Sequence, residues 1–535
     1  MKKLLLLLIP ACLLSSVNDS IKKIEQFNQQ KEIFQNFEKK KESLPPKYDI
    51  QKPQLLDTKS SNCVYIDKIT DKDITLLSKA EKELIYKKYL NQCNSIEDLK
   101  NLTIELTSLY FDKGYITSKV YIAPQNIENK EVLLYALEGK VDKILPNLPY
   151  VNSVFWNQKG NHLNIRDIEA SLEYINRLPS NHATIKLIPS QKVGFSDIHI
   201  ENSRTNQFTG AVGLNNFGLN PTGKVQGYFI LNIDNPLGLN DQISTSLNSS
   251  QNHFKEENSK SDSLAYAVPF GRLLTTLRLK SSRYKQLIPA GIEKYTSDGE
   301  TKNYEIDFNY KVFHNRQNRI NTGISISQSR TKNHLANTLL EMSSYNLSKI
   351  SLHMDYLYQI SNLYFFISFY HTAGTHWFDN NNPTTLNDKY KIENLTLSFM
   401  KDFELFKYTL NGYFQYTKDS LFNSNQLSIG GAYGVRGYQE ESLNGNTGYY
   451  LRNEFSRTLS QKAFDQFTQT YFLALDHGWI KKELDTYGGS LLSYSIGAKY
   501  SKNNFDINLC LSIPLRKSVV SKSSSFLGIN LEYRF

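Results

Sequence analysis

The sequence has little cysteine, methionine and tryptophan, and beyond its first residues it has no long apolar run. Among 535 residues there are four Cys, four Met and three Trp, but 34 Tyr and 29 Phe. No segment after residue 14 offers the roughly 20 apolar residues that a membrane helix needs. This composition argues against a helical membrane protein. A Tyr-rich, moderately polar chain is instead typical of a membrane β-barrel, in which only alternate residues face lipid.

The chain is basic but has no concentrated basic segment. Its formal net charge is +10, yet Lys and Arg are distributed along the sequence, with no block of like charges that could follow a phosphate backbone. We therefore interpret the charge as a solvated surface and expect no nucleic-acid partner.

The first residues have the pattern of a secretory signal peptide. Lys2 and Lys3 precede the apolar run Leu4–Leu14, which is too short to span a bilayer. We predict a signal peptide over residues 1–17. The segment Ile9-Pro10-Ala11-Cys12 weakly resembles a lipoprotein cleavage box, so the cleavage site and lipidation of Cys12 stay open.

The other cysteines differ in context. Cys63 and Cys93 are 30 residues apart in one predicted small domain, and in an oxidising compartment they indicate a disulfide. Cys510 lies alone in an apolar strand, where a buried thiol is expected. Two cysteines without a CxxC partner are a weak zinc signal, and we expect neither a metal nor another cofactor.

Two small α+β units are predicted ahead of a large β region. Residues 18–41 are helix-prone with an imperfect apolar stripe, and residues 42–61 contain three prolines and predict a linker. The units cover residues 62–139 and 140–202. Their predicted strands are Val64–Ile69, Tyr115–Ala123, Val132–Leu137, Val141–Leu145, Ala183–Pro189 and Phe195–Ile200. Their predicted helices are Ser78–Gln92, Ser95–Lys113 (with Ser95 and Asp98 as a capping box and Gly114 at the end) and Asn164–Leu178.

From residue 203 to residue 535 the apolar period changes to two. Apolar and polar residues alternate in Tyr304–Val312, Ile350–Tyr358 and the final strand that ends at Phe535. Exposed backbone cannot be satisfied in lipid, so only a closed sheet fits a membrane. Tight turns are expected at Asn235–Gly238, Pro269–Gly271, Arg316–Asn318 and Ile360–Asn362. Longer polar loops are expected near Arg283–Lys302, Arg330–Ser344 and Gly374–Lys389. This reading gives roughly 16 strands, provided that Asn425–Gly430 belongs to a long loop.

A glycine-rich segment, Ser424–Glu454, contains Arg436 and is long enough to require an anchor. The planar guanidinium of an arginine can bind a carboxylate in a bidentate manner. Asp476 offers such a carboxylate. If Tyr471, Leu473 and Leu475 face lipid, Asp476 faces the lumen, although Gln469 and Phe472 break the alternation. Periodicity alone leaves two interpretations open, a paired Arg436 and Asp476 or two unrelated charges.

The same segments resemble a known family. The segment IGGAYGVRGYQEESLNGNTGYYLRNE resembles the VRGY/F loop motif of the BamA-related outer-membrane superfamily. It most resembles the TpsB group of two-partner secretion transporters, which includes FhaC, ShlB and CdiB. The segments DNPLGLND, YAVPFG and LALDHG resemble two periplasmic turns of that group and the strand that receives the loop arginine. GYITSKVYIA and LEG resemble parts of the first POTRA domain. Phe535 resembles the aromatic C-terminus that the barrel-assembly machinery recognises.

The resemblance implies a mainly β membrane protein, with a 16-stranded transmembrane β-barrel preceded by an N-terminal helix and two α+β POTRA domains. It implies that Arg436 pairs with Asp476, that Val435, Gly437 and Tyr438 shape the loop tip, and that Gly478 belongs to the receiving strand. It also implies partner binding in the first POTRA domain and a plug in the pore formed by residues 18–41, with packing of this amphipathic helix outside the pore as the alternative. The partner-binding candidates there are Gly114, Tyr115, Ile116 and Val120.

The implied function is secretion of a large partner exoprotein of the TpsA type through the bacterial outer membrane, with the POTRA domains in the periplasm. An adhesin, a haemolysin and a contact-dependent toxin all remain open as cargo. The alternative is an outer-membrane protein assembly factor of the BamA type, which typically carries more POTRA domains. No nucleophile with a partnered base is visible in the sequence, so we do not expect an enzyme.

Overall fold

The computed structural model describes residues 21, 52–57, 63–127, 129–250, 257–290, 292–315, 317–440, 442–459, 467–483, 488–516 and 525–535. The predicted signal peptide and Cys12 lie outside these residues. So does the helix-prone segment 18–41, apart from Ile21, which is helical and packs against Tyr284, Ile288 and Leu335. None of the helices within these ranges is long and apolar enough to cross a membrane.

The first α+β unit packs two helices on one face of a three-stranded sheet. Its elements are β1 (Cys63–Ile66), β2 (Lys68–Lys72), α1 (Lys79–Tyr86), β3 (Gln92–Ser95), α2 (Ile96–Asp112), β4 (Lys119–Ile122) and β5 (Glu131–Leu137). The sheet order is β2-β5-β4, with β2 parallel and β4 antiparallel to β5. Alternation along β5 places Val132, Leu134 and Ala136 in the core.

Helix ends in this unit follow the sequence signals. Ser95 and Asp98 form the predicted capping box of α2, and Gly114 ends the helix with φ +93°. The prediction for the first strand and helix was wrong in its bounds. Gln92–Ser95 pairs with β1 as a separate two-stranded sheet, so the helix ends at Tyr86 and the predicted strand is divided at Asp67. Tertiary pairing has overridden local helix propensity here.

The second α+β unit repeats the plan of the first. Its elements are β6 (Lys140–Leu145), α3 (Pro149–Val154), α4 (Ile165–Asn176), β7 (Asn181–Pro189) and β8 (Phe195–Arg204). The central strand β8 again has one parallel neighbour, β6, and one antiparallel neighbour, β7. Asn164 caps α4 as predicted. The sequence reading missed α3, a six-residue helix too short to show an apolar period.

Sixteen antiparallel strands form a closed barrel, which confirms the predicted fold class. The strands are β9 (Phe208–Asn215), β10 (Gln226–Asp234), β11 (Gln242–Ser250), β12 (Asn258–Phe270), β13 (Leu273–Ala290), β14 (Glu293–His314), β15 (Asn318–Leu335), β16 (Tyr345–Ile360), β17 (Leu363–Thr375), β18 (Lys391–Asp402), β19 (Lys407–Tyr416), β20 (Gly448–Thr458), β21 (Thr468–Ile480), β22 (Gly489–Lys502), β23 (Phe505–Pro514) and β24 (Phe526–Arg534). The barrel closes where β24 pairs with β9.

The alternation of side chains follows the prediction. On β16, Leu352 and Met354 are about half exposed on the outer face, whereas Ser351, His353 and Asp355 are buried inside. The predicted tight turns lie between strands at one end of the barrel, and Asn425–Gly430 lies outside the barrel ladder.

Two predicted loops were wrong in their bounds. Residues 283–302 are mostly strand, because β13 and β14 stay paired up to Ala290 and Glu293, and β15 likewise continues to Leu335. Polar residues on both faces resembled a loop in sequence. Above the apolar band, however, both faces of a strand meet water, so polar residues there do not exclude a strand.

The second α+β unit is fixed to the periplasmic turns of the barrel. Ser180 N donates to Asp234 Oδ2 at 2.9 Å, and Arg177 Nη2 donates to the carbonyl of Asn240 at 2.9 Å. Arg272 Nε donates to Asp167 Oδ1 at 2.7 Å. These contacts involve two consecutive periplasmic turns or their flanking residues, so the unit is held in one position relative to the pore.

Glu173 on α4 is the centre of this docking contact. Its carboxylate lies 2.7 Å from Arg319 Nη1, 3.2 Å from Lys311 Nζ and 3.1 Å from His314 Nδ1. Burial by itself disfavours the charged carboxylate, but the three basic groups outweigh this effect and lower the pKa of Glu173 to about 2. The carboxylate is therefore ionised in the docked state and neutralises a cluster of buried cations.

We predict that Glu173→Gln loosens the second unit from the barrel, because it leaves buried cations without their counter-ion, at a cost of about 3 kcal/mol. Spin labels at Lys159 and Lys407 would report this as a broader distance distribution. In the wild-type protein the contact should be complete above pH 4.5 and be lost as the pH falls towards 2, since the folded-state pKa is the lowered one.

The matched control is Glu201→Gln, which removes an exposed partner of Lys186 on the same unit and should leave the distribution unchanged. An equally narrow distribution in the Glu173 variant would show that the cluster does not hold the unit in place.

Candidate functional site

The long segment between β19 and β20 folds into the barrel. Two short strands within it, Leu427–Ser428 and Asn444–Gly445, pair with each other. The buried side chains of the segment pack against side chains on the inner face of the wall. This cluster consists of Leu427, Ile429, Val435, Tyr438 and Leu443 from the segment, and Tyr413, Tyr450, Ile480 and Leu491 from the wall. We call residues 417–447 the inner loop.

Arg436 and Asp476 meet inside the barrel. Arg436 Nε lies 2.6 Å from Asp476 Oδ2, and Nη2 lies 2.8 Å from Oδ1, so the contact is bidentate. The backbone N–H of Arg436 also donates to Asp476 Oδ2 at 3.2 Å. Asp476 is fully buried and Arg436 is 7% exposed. In the described structure the two residues are therefore partners, the first of the two interpretations that periodicity left open.

Three further charges surround the pair, and the sequence reading missed all of them. Glu454 on β20 accepts from Arg436 Nη1 at 3.2 Å and from Lys499 Nζ at 2.9 Å. Arg452 Nη1 donates to the carbonyl of Ala432 at 2.8 Å. Alternation on β20 could have revealed Arg452 and Glu454, because both lie on the same face as the buried Tyr450.

Phe472 supports the same cluster. Its ring lies 5.9 Å from the Arg436 guanidinium carbon and 5.0 Å from Lys499 Nζ. In sequence this residue breaks the alternation of β21, since an aromatic side chain faces the polar lumen. The structure gives the reason, because the ring covers the two cations and is itself buried.

The tip of the inner loop contacts residues on both sides of the β24–β9 pair that closes the barrel. The Tyr438 hydroxyl donates to the carbonyls of Leu492 at 2.9 Å and Arg516 at 2.6 Å. Gln439 Nε2 donates to the carbonyl of Gly218, 3.2 Å away. Gly437 adopts φ +89°, a conformation that favours glycine. Val435 is fully buried, and its N–H donates to the carbonyl of Ile429 at 2.7 Å.

Gly478 lets the inner loop approach the wall. A Cβ at this position would lie 2.9 Å from Val435 Cγ2 and 3.0 Å from Ile429 Cδ1, closer than carbon atoms pack. The glycine that follows Asp476 by two residues therefore has a steric role, in addition to its place in the sequence motif.

Comparisons with known proteins give the family. Residues 194–500 match the model of the haemolysin secretion/activation protein family ShlB/FhaC/HecB. Residues 64–139 match the ShlB-type POTRA domain and residues 134–189 match a POTRA domain model. The first match spans more than half of the chain. The chain belongs to the ShlB/FhaC/HecB family.

Relatives and solved structures agree with this assignment. The transporter is 27% identical over 486 residues to the outer membrane transporter CdiB of Dickeya dadantii, covering 89% of this chain and 85% of the relative. It is 28% identical over 440 residues to the hemolysin transporter protein ShlB of Serratia marcescens, covering 80% and 78%. Its fold is similar to CdiB from Escherichia coli, with a TM-score of 0.85, 24% identity and coverage of 97% and 99%.

These findings confirm the predicted class and location. The protein is an outer-membrane translocation pore of the two-partner secretion type, with its POTRA domains in the periplasm.

The predicted partner-binding residues of the first POTRA domain lie at its core and at its junction with the second. Val120 is 1% exposed in the core, and Tyr115 packs on Tyr110. Ile116 packs against the core of the second domain, and the carbonyl of Gly114 accepts from Ile165 N at 2.9 Å. The exposed side chains of β4 are instead those of Lys119 and Tyr121.

The cysteines are placed as follows. Cys63 and Cys93 form a disulfide, with Cα atoms 5.3 Å apart, which joins β1 to β3. Cys510 is half-buried, with its sulfur 3.5 Å from Ser512 Oγ, so this thiol is less buried than predicted.

We predict that Gly478→Ala displaces the inner loop, because the added methyl group overlaps Val435 and Ile429, with an expected cost of about 1–3 kcal/mol. Faster protease cleavage within residues 417–447 of the folded barrel, followed by intact-mass measurement, would report the displacement. Gly227→Ala is the matched control, since a Cβ there meets only Leu214 Cδ2, at 3.4 Å. Identical cleavage rates for the two variants would contradict the steric role.

Proposed function

We propose that the transporter exports one large partner exoprotein, which its POTRA domains recognise in the periplasm before the chain enters the barrel. The observation that carries this proposal is the fixed connection between the second POTRA domain and the periplasmic turns of a closed barrel. One relative is named for haemolysin transport and another as an outer membrane transporter, which supports a haemolysin as one candidate cargo. An adhesin and a contact-dependent toxin are the other two candidates, and they rest on the resemblance in sequence. The proposal assigns no catalytic step to the chain.

We assign the segments of the chain as predicted from sequence. Residues 1–17 form a signal peptide, 18–41 a plug helix, 42–61 a linker, 62–139 and 140–202 the POTRA domains, and 203–535 the barrel. The contact of Ile21 with Tyr284 and Ile288, whose side chains lie on the inner face of β13, supports the plug. The linker is supported by Leu56, which exchanges two hydrogen bonds with the side chain of Asn101 on α2.

The proposed role of the Arg436–Asp476 pair is to hold the inner loop in its working position. The pair is bidentate and buried, and Glu454 and Phe472 contact the same guanidinium. Removing one partner of a buried pair leaves an uncompensated charge, which costs roughly 3–5 kcal/mol, and less where lumenal water reaches it. The loop therefore depends on this pair more strongly than the barrel does.

We predict that Arg436→Ala reduces secretion of the partner much more than it reduces the amount of folded barrel. Arg436→Lys should restore secretion only in part, because an ammonium group cannot reproduce the bidentate contact. Secreted partner would be measured against heat-modifiable barrel in the outer membrane.

Arg457→Ala is the control, because this exposed arginine lies over the Phe406 ring at the periplasmic end of β20, away from the inner loop. Wild-type secretion by the Arg436 variant, at equal barrel abundance, would refute the role.

We propose that the edge of β4 receives the partner by strand addition. Within the described residues β4 pairs only with β5, so its other side is an edge. Backbone pairing at an edge needs little sequence specificity. Because Gly114, Tyr115, Ile116 and Val120 are packed in the core or at the junction with the second domain, they are proposed to shape this edge. Tyr121, which is 43% exposed and stacks on Tyr135, is proposed to contact the partner.

We predict that a photo-crosslinking amino acid at Tyr121 captures the partner during secretion. The same amino acid at Leu84, which is more exposed but lies on α1, should capture little. Immunoblotting for the partner would measure both yields. Equal yields at the two positions would argue against binding at the edge.

Depletion of the transporter distinguishes export of one partner from the alternative function, general assembly of outer-membrane proteins by a BamA-type factor. Loss of one exported protein supports export, whereas loss of many outer-membrane proteins supports general assembly.

For the insertion of the transporter itself into the membrane, we propose that the barrel-assembly machinery recognises Phe535. In the folded barrel this residue pairs with Gly210 and stacks on Phe229 at 6.2 Å.

A further inference from the structure

The outer face of β12–β15 changes abruptly from apolar to charged towards the extracellular side. Strand register aligns Tyr266, Leu277, Ile306 and Ile326 in one row across the four strands. The next row towards the cell exterior is Leu264, Leu279, Tyr304 and Gln328. Leu264, Leu277 and Leu279 are all more than 40% exposed, as expected for side chains in contact with lipid.

The next two rows on the same face are rich in cations. They are Asp262, Ser281, Lys302 and Arg330, and then Lys260, Arg283, Glu300 and Lys332. We call the seven charged residues of these rows the outer basic patch. With five cations and two carboxylates, the patch has a net charge of +3.

The height of the patch matches the outer lipid headgroups. Ten residues of β14 separate Lys302 from the exposed Val312 near the periplasmic end. At about 3.3 Å per residue and a tilt of about 40°, this distance is about 25 Å along the membrane normal. That is about the height of the apolar band of such barrels, so the patch lies directly above the hydrocarbon layer.

The ion pairs within the patch leave its positive charge in excess. Arg283 Nη2 lies 3.2 Å from Asp262 Oδ2, and Lys302 Nζ lies 3.0 Å from Glu300 Oε2. The Arg283 and Lys302 side chains are still 52% and 46% exposed. Arg330 lies over the ring of Tyr304, with 6.0 Å from the guanidinium carbon to the ring centroid, so a cation stands immediately above a lipid-facing aromatic.

The opposite wall has a different composition near the extracellular ends of its strands. The outward positions aligned there through the register of β18 to β21 are Leu395, Phe414, Tyr449 and Trp479, and the next row towards the exterior contains Glu393 and Tyr416. Aromatic side chains of this kind are usual where a barrel wall meets the membrane interface. The basic rows of β12–β15 therefore have no counterpart in the compared rows of β18–β21.

We propose that the outer basic patch binds the phosphorylated headgroup of a lipid in the outer leaflet. Arg and Lys form charge-assisted hydrogen bonds with phosphate oxygens, and clustered cations beside a membrane bind anionic headgroups. The acyl chains of the same lipid would lie against Leu264, Leu279 and Tyr304. The site is separate from the pore and the POTRA domains, so it stands independently of the proposed export function.

The test compares the full-length protein in detergent with a triple variant, Lys302→Gln, Arg330→Gln and Lys332→Gln. Native mass spectrometry would measure bound diphosphoryl lipid A as the probe. We expect the variant to bind it at least about tenfold more weakly than the wild type. The matched control removes three cations at the periplasmic ends of strands, Lys401→Gln, Lys407→Gln and Arg457→Gln, and should bind like the wild type. Heat-modifiable migration would verify that each barrel is folded.

Two competitors distinguish binding of lipid A from binding of a free phosphate and from non-specific lipid contact. Phosphatidylethanolamine and inorganic pyrophosphate, each at the concentration of the probe, should leave lipid A bound. Displacement by pyrophosphate would overturn the proposal in favour of a free-phosphate site. Displacement by phosphatidylethanolamine, or equal binding by the triple variant and the wild type, would overturn it in favour of non-specific lipid contact.

Discussion

The hydrogen-bonding demand of the backbone in hydrocarbon is the constraint on which the rest of this structure depends. No water is present in the bilayer core to satisfy an N–H or C=O group, so the sheet must close on itself. Closure places alternate side chains outward in lipid and inward in a wet lumen. That division makes the interior able to hold charged residues, and the position of Asp476 on the inner face of β21 follows from it.

Closure also creates the need for an internal anchor. A pore of 16 strands is wide enough for a loop to enter, and the inner loop fills part of it with its own buried apolar cluster. Apolar packing alone is not directional. The bidentate contact of Arg436 with Asp476, with Glu454 and Lys499 beside it, fixes which part of the loop faces which strand. Phe472 covers the charges from one side, so the pair lies in a drier environment than the open lumen.

The sequence predicted the fold well because apolar periodicity and the residue types of turns and helix caps are local signals. Alternation identified the barrel strands, and the turns and caps at Ser95, Gly114 and Asn235–Gly238 carry their own residue types. Prediction from the sequence failed where the role of a residue depended on its neighbours in the folded structure. Polar β13 and β14 resembled a loop above the membrane. Lys499 became a site residue only through its contact with Glu454 on another strand. The junction role of Gly114 and Ile116 depended on the second domain. Arg436 and Asp476 were singled out because glycine richness and an inward carboxylate are visible in sequence, but only the family resemblance implied that they pair.

The unequal strand lengths give the barrel an uneven rim. At about 3.3 Å per residue, the 22 residues of β14 extend for roughly twice the length of the 10 residues of β19. The two ladders on either side of β14 make this tall section a stiff sheet. A polypeptide that leaves the lumen would meet a tall wall at β14 and a lower rim at β19. The extracellular opening would therefore direct the polypeptide towards the β19 side.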